Sequence, residues 1–182
     1  MSEESPGARA VKAYEVEDVF LLDLECSVSH DFNPLEQLPP ITYKHSISLD
    51  QKVLIQTRTE PDGSNQVAVV RYFINSEVIV LKPGSESHEH SDQPIPKDAR
   101  MASMKFTLAT DYMCPMNLAH DQDAILAFGR NAMFHAWPYV RETVHLSCEK
   151  LRIPRITIGM FKPDPKPIEL SDEVAPERLA QE

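Results

Sequence analysis

Glycine is scarce: the 182 residues include only five, and none falls in a phosphate-cradling loop. The sequence also lacks a strand-turn-helix nucleophile motif and any CxxC pair. Each of these would mark a common enzyme class, so none of those classes is expected. Cysteine is limited to Cys26, Cys114 and Cys148, an odd number without metal-ligand spacing. They read as reduced packing residues. No stretch approaches the ~18 consecutive apolar residues of a membrane-spanning helix. The opening MSEESPGARA has neither the basic start nor the apolar run of a secretory signal, which points to the cytoplasm. Positive charge is in deficit: Lys and Arg total 18 against 28 Asp and Glu, a formal net charge of -10. A binder of nucleic-acid backbone neutralises phosphates with Lys and Arg, so that partner is not expected. The acidic balance favours solubility and attraction to a basic partner.

What is present is ordinary for a globular protein, with 42% hydrophobic and 25% charged residues. The length suits one sizeable domain. Fifteen prolines punctuate the loops. Residues 1–13 read as a disordered leader, 14–162 as the domain, and 163–182 as a flexible, proline-rich acidic tail. Tyr14 to Ser29 alternates like a strand with one buried face. The next segment, HDFNPLEQLPP, carries three prolines and must be a loop. It nonetheless holds Phe32, Leu35 and Leu38, which either fold back onto the core or form an exposed interaction patch.

Ile41 to Thr59 gives a second strand region, with Ile47, Leu49, Val53 and Ile55 on an alternating frame. The turn EPDGSN joins it, as a hairpin, to the β-rich segment Gln66–Lys82. Pro83 to Arg100 is a polar loop, and Met101 to Cys114 is the fourth strand. His88 and His90 in SESHEHSD have no helical spacing and no cysteine partner, so they read as solvated rather than metal-ligating. His145 and Cys148 likewise read as packing residues, and no metal or cofactor is expected.

Asp121 to Lys150 carries the clearest periodicity and reads as one long helix. Its apolar sector covers about 180°, against the ~100° stripe of an ordinary surface helix. Gly129, Ala132 and Ala136 lie along the midline and would let a second backbone approach closely. Phe128, Met133, Tyr139 and Val140 flank it. Pro138 should kink the helix. Two readings stay open: a core helix of a monomer with a proline bend, or a helix that also packs against a second chain. The order of elements predicts an α+β fold, a four-stranded antiparallel sheet packed with one long kinked helix.

Three short motifs carry a family resemblance. Trp137-Pro138-Tyr139-Val140-Arg141-Glu142 resembles the phenylalanine-proline-tyrosine-x-arginine-glutamate signature in the long helix of SecB, the bacterial export chaperone. Ile153-Pro154-Arg155-Ile156-Thr157-Ile158 resembles the segment that leaves that helix, at the same spacing. Asp31-Phe32-Asn33-Pro34 resembles the SecB crossover loop. The matches bracket about residues 14 to 162.

The resemblance implies a SecB-like fold and a non-catalytic, ATP-independent chaperone that binds unfolded polypeptides or preproteins. It implies a client groove lined by Phe32 from the crossover loop and by Ile153, Ile156 and Ile158 from the lid, and the apolar Leu35, Leu38 and Phe161 of the same stretches are further client-binding candidates. It implies a homo-tetramer, for which Phe128, Gly129, Ala132, Met133, Ala136, Tyr139 and Val140 are the interface candidates. The chain departs from the family in two places. Its proline-rich end leaves little room for a second helix. In the fourth strand, Lys105 falls where the family has an acidic residue implicated in docking the SecA motor. The expected partners are therefore unfolded clients, with either SecA or an antitoxin behind them. A small-molecule enzyme, a lipid-binding α+β domain and an adaptor for one folded partner are the competing classes. An enzyme or lipid binder would use the space between helix and sheet, where the apolar faces offer few convergent polar groups.

Overall fold

The computed structural model describes residues 5–35, 40–59, 66–90 and 93–161. Four long strands, β1 (Glu15–Val28), β2 (Tyr43–Thr59), β3 (Gln66–Leu81) and β4 (Arg100–Pro115), make one antiparallel sheet in the order β1-β4-β3-β2. Among the described residues three α-helices accompany it, α1 (Pro6–Ala13), the single turn α2 (Met116–Ala119) and α3 (Gln122–Leu151), with short 3-10 turns at Glu86–His88 and Lys97–Ala99. The fold is α+β, with one sheet and one long helix, as the element order predicts. Because β1 and β2 occupy opposite edges, the connection between them spans the full width of the sheet. The pairing of Thr59 with Gln66 confirms the β2–β3 hairpin, although its turn at 60–65 lies outside the described residues.

Strand alternation decides which face α3 covers. Val70, Tyr72, Ile74, Val78 and Val80 of β3 and Met104, Phe106, Leu108 and Tyr112 of β4 are buried in one core with α3. The opposite face is largely polar. Arg71 grips Asp111 through two hydrogen bonds of 2.7 Å each. Its guanidinium also lies 4.9 Å from the centre of the Phe20 ring. Thr107 donates to Asn75 nearby. At one end of this face Ile79 and Leu81 pack with Ile95 and Ala99, so the polar 83–100 loop is folded down onto the sheet.

Helix α3 starts where Asp121 caps it, its carboxylate accepting from the Ala124 N–H at 3.1 Å. It ends at Arg152, whose φ of 56° is left-handed, and Pro154 follows two residues on. The helix runs on through Pro138. Pro138 faces solvent, so water can satisfy the carbonyl left without its usual donor.

Two expectations need correction. The leader does not begin the chain as disorder throughout, for Pro6–Ala13 is helical and packs on α3. Ser5 caps it, Arg9 bonds Asp121 at 3.2 Å, and Ala10 is fully buried. Residues 1–4 lie outside the described residues, as does the expected tail at 163–182. The second correction concerns the α3 midline. Phe128, Gly129, Ala132, Ala136 and Val140 are buried within the single chain. Met133 packs partly buried against the same core, and only Tyr139 of the expected interface set is exposed. The small residues therefore admit the chain's own sheet. The second surface implied by the broad sector is α1.

Candidate functional site

The two flanks of α3 meet different strands. One flank carries Trp137 and faces the β2 side, where Trp137 and His45 have ring centres 5.6 Å apart. Tyr43, His45, Ile47 and Leu49 lie on the inner face of β2. His45 Nε2 pairs with Ser76 Oγ at 3.0 Å, and burial pushes the imidazole pKa below its ordinary value.

Beyond α3 the chain turns back over this flank. The Ile153 N–H bonds the Cys148 carbonyl at 3.1 Å, and from Pro154 to Phe161 the backbone belongs to no helix or strand. Ile153, Ile156 and Ile158 are only 5–6% exposed, while Pro154, Arg155 and Thr157 between them and Gly159 after them face solvent. The Tyr43 hydroxyl donates to the Thr157 carbonyl at 2.9 Å and ties the stretch to β2. Phe161 rests on Trp137, ring centres 5.3 Å apart, and Met160 is 84% exposed. The Cys148 thiol pKa is raised, chiefly by burial, with the Ile156 N–H acting in the other direction. The Trp137 Nε1 donor is buried without a partner.

The crossover loop supplies the other side. The Ser29 N–H bonds the Met101 carbonyl at 2.8 Å and the Phe32 N–H bonds the Ser29 carbonyl at 3.0 Å. Lys82 holds Asp31 at 2.7 Å. With the Ser29 hydroxyl also donating to it, the Asp31 carboxyl is lowered to about 2. Phe32 is half-buried against the core, and Leu35 is 89% exposed. Leu38 lies outside the described residues.

The expected groove residues thus have different fates. Ile153, Ile156 and Ile158 fill the space they were expected to line, Phe32 and Phe161 are half-buried, and Leu35 projects outward. Sequence reasoning missed Tyr43, His45 and Trp137 as the frame of the site. The one available signal was that Trp137 is the chain's only tryptophan and sits inside the helix motif.

Two other surfaces stand out. On the β1 flank, Val16, Leu21, Tyr139 and Leu146 are between 41% and 48% exposed, beside a 14-residue edge strand. On the polar face, exposed Lys105 stands between Glu25 of β1 and Glu77 of β3 in register. Among the described residues no group of three or more His, Cys, Asp or Glu could hold a metal, and no helix is long and apolar enough to cross a membrane.

No family model matches the chain, and no curated protein matches it. Among solved structures it is similar to the Mycobacterium tuberculosis Rv1957 SecB-like chaperone in complex with a ChAD peptide from the Rv1956 HigA1 antitoxin. The identity is 18% and the TM-score 0.57, over 87% of this chain and 98% of that chain. The likeness shows a SecB-like fold.

Proposed function

We propose that this SecB-like chain is an ATP-independent chaperone that holds unfolded polypeptide on the β2 flank of α3. The seating of residues 153–161 supports this most. An extended stretch is held there by buried apolar side chains and a side-chain bond to one carbonyl. Holding of this kind reads shape and greasiness rather than sequence, as a site for unfolded chains must. Pre-stiffening by Pro154 and by the loop prolines lowers the ordering cost of such binding. That the similar Rv1957 protein is in complex with a peptide fits a polypeptide ligand.

The test is direct. A denatured, slow-folding protein diluted into buffer should aggregate at least several-fold less when equimolar chain is present, without nucleotide. Undiminished aggregation, read by light scattering over a range of ratios, rejects the proposal.

A client confined to an antitoxin is the second reading, favoured over general export by two observations. The similar structure holds an antitoxin peptide, and Lys105 is exposed on the polar face. If the motor SecA meets its chaperone through acidic groups, a lysine there opposes docking, because like charges set against each other cost affinity. Lys105→Glu should then strengthen SecA binding in calorimetric titration. Tight wild-type binding that Lys105→Glu leaves unchanged favours export of preproteins. Under either reading the protein works in the cytoplasm as a homo-oligomer, with a tetramer as the specific expectation.

A further inference from the structure

The site proposed above is already full. Ile156 and Ile158 project inward two residues apart, Ile153 precedes them by three, and Phe161 follows by three onto Trp137. Side chains two apart share a face of extended backbone, which is how an unfolded polypeptide would present itself. The stretch has no ladder of backbone pairing to hold it, although it lies over an edge strand. It is attached by the Ile153 and Ile156 N–H groups on Cys148, by the Tyr43 hydroxyl on the Thr157 carbonyl, and by the burial of three isoleucine side chains with Phe161 half-buried. Beneath Phe161, the Trp137 Nε1 donor has no acceptor. A buried donor left unmade is costly, and a main-chain carbonyl entering the site would satisfy it.

We infer that residues 153–161 are the resident occupant of the client site, and that a client displaces them by presenting the same pattern. The ligand class follows from that occupant. It is an extended polypeptide with two aliphatic side chains spaced i and i+2, an aromatic at i+5 to stack on Trp137, and small or polar residues between. The inference rests on the chaperone reading and fixes the regulation and preference of its site. Because the chain's own segment competes, apparent client affinity is reduced by the fraction of molecules in which the segment is released. Loosening the segment should therefore tighten client binding. If these isoleucines lined the groove, the same changes would weaken it.

The experiment uses the full chain and two variants within the segment, Ile156→Ala and Ile158→Ala, each confirmed as folded by far-UV circular dichroism. The probe is a reduced, alkylated, tryptophan-free protein that cannot refold. Trp137, the chain's only tryptophan, reports the site through its own emission. Binding should shift that emission as Phe161 leaves the indole. Ile156→Ala removes buried surface from the segment alone and should tighten apparent affinity about fivefold or more, and Ile158→Ala should do the same. A synthetic peptide of residues 152–161 should compete with the probe for the Ile158→Ala chain. The same peptide carrying Ile156→Ser and Ile158→Ser should not. Equal or weaker binding by both folded variants, or failure of the unaltered peptide to compete, overturns the inference and leaves the chaperone reading intact. Absence of probe binding and of aggregation protection in every form overturns both.

Discussion

His45 is placed where charging an imidazole is unfavourable. It is packed against Trp137 and paired to a neutral hydroxyl on Ser76. Burial therefore lowers its pKa in the folded chain. As pH falls below the ordinary value of 6.5, the unfolded chain takes up the proton first. The stability this neutral histidine preserves is complete above that value and is lost as pH falls through the folded pKa. Urea denaturation between pH 7.5 and 5 should show midpoints falling on the acid side, and His45→Phe should flatten that part of the slope. An unchanged slope in the variant assigns the acid sensitivity to other groups. The alanines of α3 teach a related lesson. Sequence marked Ala132 and Ala136 as points of close approach, and both are indeed fully buried. Periodicity reports that a face is covered and is silent on what covers it, so the identity of the covering surface came only from the structure.

The strands and α3 were legible because their periods run long: β3 alternates from Val70 to Val78, and α3 repeats over thirty residues. Helix α1 was not, since PGARAVKA is short and built of small residues whose burial depends wholly on a partner far along the chain. The lid isoleucines were recognised as apolar, but whether such a stretch lines a groove or fills it depends on tertiary packing. The α1–α3 contact can be tested at Gly7, where an added Cβ would stand 3.2 Å from Ala127 Cβ. Gly7→Ala sets that tight contact against the helix-propensity gain over glycine, up to ~1 kcal/mol. The two should nearly cancel. Gly7→Leu has no such offset and should destabilise by about 1–3 kcal/mol through overpacking. Urea midpoints for the two variants check this. A Gly7→Leu chain as stable as wild type means that α1 contributes little to the fold.

At the scale of the molecule the two flanks of α3 are unequal. The β2 flank is closed by the chain's own segment, whereas the β1 flank leaves Val16, Leu21, Tyr139 and Leu146 open beside an unpaired strand edge. Long, open edges with apolar neighbours are pairing sites, and proteins rarely leave them bare. The homo-oligomer proposed above would therefore have its better surface here, away from the buried midline expected from sequence. The two surfaces separate by mutation. Ala132→Glu puts a charge at a fully buried position and should unfold the chain, since an unpaired buried charge costs several kcal/mol. Leu21→Lys combined with Leu146→Glu alters half-exposed residues, so the monomer fold should survive while the assembly separates. A stable interface buries roughly 800 Å² per partner, and two charges inside it are hard to accommodate. Multi-angle light scattering at micromolar concentration should show an oligomer for wild type and a smaller, folded species for the double variant. A wild-type monomer rejects oligomerisation, and a double variant that keeps the wild-type mass moves the interface off β1.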